Sequence, residues 1–386
     1  MSILIAGHFI YTGRVGGSEH MVYNLTRGLS DLGVDVTFLC ADRHNLSPEF
    51  LEDSRIAHRA IVETGGGGSR FMSEQRACFD RRLHGTSILF PQYYLPAILP
   101  ERLGHAAVVI HDFQYRHFPQ YFSARKRAWL RLCHLRAFGT SARVIVVSDF
   151  VRQDAIRLFG RSAEKAMVIP NPISWDRFPK TPGPHPFNDR PYVLSVAAHY
   201  PHKRLDVLVR AFAKVAKKQK DLLLVLCGQL PEGLISVGKD VTGLRGLIND
   251  LGLKDRVCIT GYLSDQEVGD LYHHAEAFAF PSVFEGFGMP AVEAMGFGLP
   301  TLTTRCTSLP EVTLGMAHYV DDPADIEEWA SRLDALIETP RLPSESIERI
   351  RDHYDARTIG QLYLQALYTD WAGSACEIVR QSPAQF

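Results

Sequence analysis

The sequence predicts an α/β protein with two doubly wound parallel sheets, and three observations lead to this prediction. Short apolar runs alternate with amphipathic segments almost from one end of the 386-residue chain to the other. The apolar runs are continuously hydrophobic, which indicates strands that are covered on both faces, as in parallel sheets. A proline-rich segment divides the chain near its middle, and the same alternation is found on each side of it.

The first half carries six candidate strands, with helical patterns between several of them. The clearest helical patterns cover residues 18–33 and 149–160. We therefore predict a Rossmann-like N-terminal domain over residues 1–172. Its strands are expected at ILIAG, DVTFLCA, SILFPQ, AAVVIHD, ARVIVVSD and AMVIPN.

The second half repeats the pattern after a break. Residues 170–191 contain seven prolines, which disfavour a regular element, so we predict a stiff linker over residues 173–191. A second Rossmann-like domain is predicted over residues 192–355, with strands at YVLSVAA, LLLVLCG, RVCITGY, EAFAFPS and PTLTT. We expect the last helix, residues 356–380, to pack back on the first domain.

Composition and charge exclude several classes of protein. With 46% hydrophobic residues, 22% charged residues and a net charge of -1, the chain lacks the basic surplus that nucleic-acid binding needs. No uninterrupted apolar run reaches the roughly 18 residues of a membrane-spanning helix. The N-terminus has no signal-peptide pattern and the seven cysteines are scattered, so we expect a cytoplasmic protein with reduced thiols.

Ligands of open α/β sheets bind beyond the carboxyl ends of the strands, and four polar or glycine-rich segments lie there. Gly13, Gly16 and Gly17 precede a helix whose amides suit a diphosphate; the alternative is a flexible turn that needs positive φ angles. His111 ends a strand, where it is placed to contact substrate hydroxyls or transfer a proton. The alternative is a polar strand end in which Asp112 caps the following segment.

Lys203 and Arg204 lie at the start of a helix, just past the first strand of the second domain. Two cations at a helix N-terminus are disfavoured by the helix dipole, and their placement is explained if an anionic ligand binds there. The alternative is a pair of solvated basic residues.

Two carboxylates interrupt the apolar run FPSVFEGFGMPAVEAMGFGLP. Glu285 lies in a glycine-rich loop after a strand, and Pro290 is expected at the first position of the next helix, about one turn before Glu293. We expect both carboxylates and the amides of residues 286–289 to face one pocket that binds sugar hydroxyls. The run GFGMPA also fits a loose dinucleotide fingerprint, but it occurs late in the domain without the expected acidic residue, so hydride transfer is disfavoured.

The run FEGFGMPAVEAMGFGLP resembles the signature of retaining GT-B-type glycosyltransferases of family four, in which two glutamates are separated by seven residues. The likeness extends over nearly the whole chain, through GGSEHMVYNLTRGL, VSDFVRQDAIRLFG, HKRLDVLVRAF and ITGYLSDQEVGDLY. It implies a GT-B architecture of two Rossmann-like domains facing a cleft. The first domain then binds the acceptor and the second binds the nucleotide sugar.

The resemblance also implies roles for individual residues. Glu285 contacts the donor sugar, Glu293 holds the ribose, and Lys203 grips the diphosphate. His111 lies over the sugar, and the glycines of the first loop border the phosphates. The predicted catalytic set is His111, Lys203 and Glu285, and the predicted donor-binding set is Gly16, Gly17, Arg204, Tyr262, Phe287, Gly288, Met289 and Glu293.

One position departs from the family pattern. Many relatives have an arginine five residues before the lysine, and this chain has Ala198 there, so Arg204 or His202 is the candidate for the missing charge. No Asp-x-Asp triplet occurs, and we expect neither a metal nor a cofactor, with a nucleotide diphosphate sugar as the donor substrate. On resemblance alone the donor is GDP-mannose and the acceptor a glycan or glycolipid.

Residues 111–138 resemble enzymes that transfer mannose or related sugars in bacterial surface-polysaccharide assembly. The segment 121–138 carries basic residues with a tryptophan and leucines, which is typical of a helix attracted to anionic lipid at the inner membrane. An ordinary amphipathic surface helix is the alternative. The residues concerned are Arg125, Lys126, Arg127, Trp129, Leu130, Arg131, Leu132 and Arg136.

Two other functions fit the same motifs. A GT-B-fold sugar-nucleotide epimerase needs no acceptor and converts the donor without releasing nucleoside diphosphate. A non-catalytic sugar-nucleotide-binding protein is the third possibility, and the full set of polar site residues disfavours it.

Overall fold

A computed structural model describes residues 1–11, 16–57, 59–63, 70–80, 85–100, 104–140, 142–228 and 243–368. These residues form two compact units. Unit 1 contains Met1–Pro119, Ser123–Ser174 and the described residues from Tyr354 on, and unit 2 contains Gln120–Phe122 and Trp175–His353.

Unit 1 is built on a parallel sheet of seven described strands in the order β3-β2-β1-β4-β5-β6-β7. Ile3, on the interior strand β1, pairs with Val36 on one side and Ser87 on the other. Most strand residues are buried, because helices cover both faces. The strands are β1 (Ser2–Ala6), β2 (Asp35–Cys40), β3 (Ala60–Glu63), β4 (Ser87–Phe90), β5 (Ala106–Ile110), β6 (Arg143–Val146) and β7 (Met167–Val168).

The helices of unit 1 begin where the sequence supplies capping residues. Ser123 and Ser148 each accept a hydrogen bond from a backbone amide three residues ahead, which starts the helices that follow them. The helices are α1 (Gly17–Asp31), α2 (Pro48–Glu52), α3 (Ser54–Ala57), α4 (Arg70–Cys78), α5 (Gln114–His117), α6 (Ala124–Gly139) and α7 (Asp149–Phe159).

Unit 2 contains a second parallel sheet, with six described strands in the order β10-β9-β8-β11-β12-β13. Its core is formed by buried strand residues and by Phe212 and Trp329, which lie on two helices packed against each other. The strands are β8 (Tyr192–Val196), β9 (Leu223–Cys227), β10 (Val257–Gly261), β11 (Ala277–Phe280), β12 (Thr301–Thr304) and β13 (His318–Val320).

Helices follow most strands of unit 2. Ser264 and Glu267 form a capping box, in which each side chain binds the other's backbone amide, and this starts α10. The helices are α8 (Leu205–Val215), α9 (Gly243–Asp250), α10 (Asp265–His274), α11 (Met289–Gly296), α12 (Leu309–Val312), α13 (Ile326–Ile337) and α14 (Ser344–Tyr354).

The last described helix, α15 (Ala356–Tyr368), packs on α1 within unit 1. The approach is close at Gly28, where an added Cβ would lie 2.0 Å from the carbonyl oxygen of Ala356. Two backbone hydrogen bonds of Ile173, to Tyr354 and from Ala356, fix the start of the helix. The remaining part of the predicted helix, residues 369–380, lies outside the described residues.

The predicted fold class is confirmed, with two parallel sheets flanked by helices. Two strands were missed: β3 (AIVE) and β13 (HYV) are short and lie at the edges of their sheets, so they lack the long apolar run of a central strand. Within the predicted linker, Trp175–Arg177 form a short 3-10 turn.

Candidate active site

The candidate residues of unit 2 are brought together by two neighbouring strands. β8 and β11 pair in parallel, so the segments that follow them leave the sheet at the same edge. The amide of Val283 donates a hydrogen bond to the carbonyl of His202 at 2.9 Å, which joins the two segments. Lys203 and Glu285 lie next to this link and therefore meet.

Lys203 and Glu285 form an ion pair in which the Nζ–Oε1 distance is 2.5 Å. Both side chains keep some contact with solvent, at 16% and 12% exposure. The loop around Glu285 is held by the segment after β12, because the Glu285 amide donates to Thr307 Oγ1 at 3.0 Å and Ser308 Oγ donates to the carbonyls of Glu285 and Phe287. The carboxylate is thus presented from a fixed backbone.

Gly288 ends this loop with a φ of 93°, a conformation that favours glycine, and it caps α11. An added Cβ would also lie 2.8 Å from Leu309 Cδ2. Phe287 and Met289 on either side are buried. The helix begins at Met289, so Pro290 is its second residue rather than the first as expected.

Glu293 lies in a buried polar cluster that the sequence did not predict. Its Oε1 accepts a hydrogen bond from Arg177 Nη2 at 2.5 Å, and its Oε2 accepts one from the Tyr272 hydroxyl at 3.0 Å. Arg177 also donates to Asp265 Oδ1 at 2.7 Å, and its guanidinium stacks over the Phe178 ring at 4.2 Å. The side chains of Arg177 and Glu293 are only 3% and 6% exposed.

The charge of Arg177 organises this cluster. Burial works against a charged guanidinium, but the carboxylates of Asp265 and Glu293 outweigh it and raise the pKa of Arg177. Burial also raises the pKa of Tyr272 well above its ordinary value, so its hydroxyl stays protonated and donates. Glu293 is therefore held in place through both of its oxygens.

Sequence reasoning missed Arg177, Asp265 and Tyr272 for identifiable reasons. Arg177 lies in the segment interpreted as a linker, and the other two look like ordinary residues of an amphipathic helix. We expected Glu285 and Glu293 to face one pocket; the structure gives each carboxylate its own cation, Lys203 for the first and Arg177 for the second. No sequence signal links Arg177 to Glu293, which is 116 residues away.

The remaining candidates of unit 2 differ in charge and exposure. Arg204 adopts a left-handed conformation, with φ 48°, as the N-cap of α8, and its Nε lies 3.2 Å from Asp206 Oδ1. His202 is buried, which with the neighbouring Lys203 lowers its pKa to about 3, so it carries no charge at neutral pH. Arg204 is therefore the better candidate for the charge missing at Ala198. Tyr262 follows β10 and is about half exposed.

Gly16, Gly17 and His111 belong to unit 1. Gly16 has a φ of 70° and caps α1, and Gly17 is the first residue of that helix; Gly13 lies outside the described residues.

His111 follows β5, and its Nε2 lies 2.9 Å from the Pro91 carbonyl, which makes Nε2 the protonated nitrogen. Burial lowers the pKa of His111, so the ring is neutral and Nδ1 is an acceptor. Asp112 accepts from the Gln114 amide, as in the capping alternative.

The predicted basic helix corresponds to α6, and its residues divide into two groups. Arg125, Lys126, Arg127, Arg131 and Leu132 are exposed, as an interfacial helix requires. Leu130 is buried, Trp129 packs against Phe71 and Tyr94, and Arg136 donates to the Pro96 and Ala97 carbonyls, so these three belong to the packing of unit 1.

Neither a membrane-spanning helix nor a metal-binding cluster occurs among the described residues. No helix in this part of the chain is long and apolar enough to cross a membrane. No group of three or more His, Cys, Asp or Glu side chains there is arranged to hold a metal ion.

Comparison with known proteins identifies the fold first and then the family. The structure of Anabaena Alr3699/HepE in complex with UDP and glucose superposes with a TM-score of 0.73 at 19% identity, covering 95% of this chain and 99% of that one. This likeness establishes a GT-B fold. Residues 15–177 match the Glycosyltransferase Family 4 model and residues 178–353 match Glycosyl transferases group 1. The chain belongs to the family-four GT-B glycosyltransferases.

Two relatives of the chain are both named as O-antigen chain mannosyltransferases. The chain is 28% identical over 258 residues to O-antigen chain mannosyltransferase B of Escherichia coli, covering 63% of each chain. It is 26% identical over 265 residues to O-antigen chain mannosyltransferase RfbU of Salmonella typhimurium, covering 67% of this chain and 68% of the relative. The chain therefore spans only about two thirds of the length of either relative.

Proposed function

We propose that the protein is a retaining hexosyltransferase that moves mannose from GDP-mannose to a glycan or lipid-linked glycan acceptor. The observation that carries the proposal is the Lys203–Glu285 pair at the adjoining ends of β8 and β11, the edge where such sheets bind ligands. Membership of the family supports glycosyl transfer. The names of the two relatives support mannose and a polysaccharide acceptor.

The Lys203–Glu285 pair gives the donor two complementary contacts. The ammonium group of Lys203 balances the negative charge that grows on the leaving diphosphate as the bond from the anomeric carbon to the phosphate oxygen breaks. Glu285, released from Lys203 when the diphosphate binds, accepts hydrogen bonds from sugar hydroxyls. The pair thus exchanges an internal contact for two contacts with the donor.

Glu293 accepts hydrogen bonds from the ribose hydroxyls in this proposal. Each carboxylate oxygen has two lone pairs, so the bonds from Arg177 and Tyr272 leave one acceptor site on each oxygen. Two parallel acceptor sites match two vicinal hydroxyls. Arg177 and Tyr272 fix the orientation of the carboxylate before the donor arrives.

Transfer occurs with retention of the anomeric configuration in this proposal. The acceptor hydroxyl attacks the face from which the diphosphate leaves; its oxygen bonds to the anomeric carbon and its proton passes to the departing phosphate oxygen. No pair of carboxylates placed for acid and base roles is needed, in contrast to inverting hydrolysis. His111, as a neutral acceptor at Nδ1, holds a sugar hydroxyl rather than taking the proton.

The reaction is proposed to proceed without a metal ion. Lys203 and Arg204, together with helix N-termini, supply the positive charge that balances the diphosphate. The activity should therefore persist in EDTA. We also propose that the protein acts at the cytoplasmic face of the inner membrane, where the exposed cations of α6 contact anionic lipid.

A thermal-shift screen tests the nucleotide part of the proposal. GDP and GDP-mannose should raise the melting temperature more than UDP, ADP or dTDP and their sugars, because a ligand at 100 times its dissociation constant stabilises the fold by about 2.7 kcal/mol. Release of GDP that depends on added acceptor then shows transfer. Stabilisation by another base would replace GDP-mannose as the donor, and no stabilisation by any nucleotide would overturn the proposal.

A further inference from the structure

Unit 1 contains a cavity of about 410 Å³ between α5 and the first turns of α6. Three arginines from two different helices, Arg116, Arg127 and Arg131, line it together with Tyr115. Pro119, Ala124 and Ala128 complete the lining, so no acidic side chain is among the residues that form it. The cavity is thus a concave site with a strongly positive wall.

The positive charge of this wall is not balanced within the described part of the protein. None of its three arginines has a carboxylate partner there, whereas Arg27 and Arg55 of the same unit both bind Asp53. Arg127 and Arg131 lie four residues apart on α6, where like charges repel. An anion in the cavity would remove this repulsion.

The first turn of α6 adds to the imbalance. It contains no acidic residue and carries Arg125, Lys126 and Arg127, although the positive end of a helix dipole normally favours acids. Ala124 and Arg127 of this turn line the cavity. Both the helix end and the side chains therefore favour an anion at the same place.

The donors around the cavity suit a phosphate or diphosphate. Guanidinium groups bind phosphate oxygens through two parallel hydrogen bonds, which a single ammonium cannot do. The Tyr115 hydroxyl lies 3.3 Å from His134 Nδ1 inside unit 1, so the arginines are the donors that a ligand in the cavity would meet.

An apolar surface adjoins the cationic wall. Leu132 and Leu135 of α6 are 58% and 46% exposed, and they lie one and four residues beyond Arg131. A ligand with a phosphate group and a hydrocarbon chain would place the phosphate in the cavity and the chain along these leucines. A free phosphate would contact only the arginine-lined cavity and not the exposed leucines.

We propose that this cavity binds the diphosphate of a lipid-linked acceptor. This inference rests on the proposed glycosyl transfer to such an acceptor and assigns the place where its charged group is held. The same arginines bind inorganic diphosphate and the headgroups of anionic phospholipids more weakly, because these ligands lack either the chain or the second phosphate.

Vesicle binding of the full chain tests this proposal. One set of phosphatidylcholine vesicles carries a polyprenyl diphosphate, and a second set carries phosphatidylglycerol at the same total charge. The variant Arg127→Ala/Arg131→Ala is compared with Arg125→Ala/Lys126→Ala, which removes the same charge from the same helix outside the cavity lining. Calorimetry with inorganic diphosphate measures the contribution of the phosphates alone.

The unsubstituted protein should bind the polyprenyl diphosphate vesicles more tightly than the phosphatidylglycerol vesicles. In the cavity variant the ratio of these two affinities should fall by about tenfold or more, as expected for the loss of charge-assisted hydrogen bonds. The control variant should keep it. Equal affinity for the two vesicle sets, or an equal loss in both variants, would overturn the proposal and assign the arginines to general membrane attraction.

Enzyme assays separate this inference from the proposed function. The cavity variant should raise the KM for a lipid-linked acceptor, while the thermal shift caused by GDP stays unchanged. Transfer with an unaltered acceptor KM would overturn the cavity site and leave the function standing. Specific lipid diphosphate binding without any transfer would leave the site standing and overturn the function.

Discussion

Glu285 and Glu293 are close in sequence, but their surroundings differ. Glu285 pairs with Lys203 where both side chains meet solvent, on a loop held by glycine and by the segment after β12. Glu293 pairs with Arg177 inside unit 2, with Tyr272 on its second oxygen and Asp265 on the far side of the guanidinium. The first pair is the more accessible to solvent, and the second is enclosed within unit 2.

This difference has an energetic basis. Opening the Lys203–Glu285 pair should cost less than opening the Arg177–Glu293 pair, because water reaches its side chains more readily, at 16% and 12% exposure against 3% and 6%. Breaking a buried pair leaves an uncompensated charge in the interior, which is strongly destabilising. We therefore expect substitutions at the Lys203–Glu285 pair to alter catalysis, and substitutions at Arg177 to alter stability first.

The largest effect on stability is expected for Arg177→Met. The substitution leaves Glu293 and Asp265 without their cation, and loss of one partner from a buried pair costs about 3–5 kcal/mol of the free energy of unfolding. Urea denaturation followed by circular dichroism measures it. Lys214→Met, which breaks the exposed pair with Glu327, serves as the control and should change the midpoint far less. Equal shifts for both variants would show that the buried cluster does not hold unit 2 together.

Glu285→Gln should reduce catalysis and leave stability unchanged, in contrast to Arg177→Met. The amide keeps the size of the side chain but weakens its contact with the sugar, so kcat should fall on the order of 10²–10³-fold, as for other preorganised polar groups in active sites. GDP binding and the urea midpoint should stay close to those of the unsubstituted protein. If the variant lost GDP affinity in step with kcat, Glu285 would belong to the nucleotide site instead.

Glu293→Gln is expected to weaken GDP and GDP-mannose binding alike, by about 1–3 kcal/mol for hydrogen bonds to a charged group. Glutamine is preferred to alanine, because it retains an acceptor for Arg177 and fills the same volume. Calorimetry with both ligands provides the measurement. An unchanged affinity for GDP in a folded variant would remove Glu293 from the ribose site.

Lys203→Met should lower kcat as well as donor affinity, because the charge on the leaving diphosphate grows in the transition state. Steady-state kinetics with varied donor concentration separate the two effects. A change in KM alone would mean that Lys203 only docks the donor.

The smallest effect is expected from His202, the neighbour of Lys203, whose burial should lower the free energy of unfolding in mild acid. Burial lowers the pKa of His202 to about 3, whereas in the unfolded chain it titrates near 6.5. Below pH 6.5 the unfolded state binds a proton that the folded state does not, so this histidine lowers the free energy of unfolding by up to about 1.4 kcal/mol per pH unit. Urea midpoints between pH 7 and 5 should fall less steeply for His202→Gln; identical slopes would contradict the buried, neutral state.

The sequence was sufficient to predict the fold class and those site residues whose motifs lie within a few neighbouring positions, but it did not reveal the edge strands β3 and β13. Patterns of neighbouring residues predict three features: the continuous apolar strands, the glycine-rich loop around Glu285 and the basic residues after β8. Arg177 was not predictable in this way, because its partners Asp265 and Glu293 are brought to it only by the packing of α10 and α11. The division of α6 into exposed cations and a packed Trp129 also depends on tertiary contacts.

The stereochemistry of transfer distinguishes retention from inversion. Proton NMR of the product formed from GDP-mannose in the presence of EDTA reports the anomeric configuration of the new linkage. We expect an α-linked sugar, with the configuration of the donor preserved and the activity undiminished by the chelator. A β-linked product, or activity that EDTA abolishes and manganese restores, would contradict it.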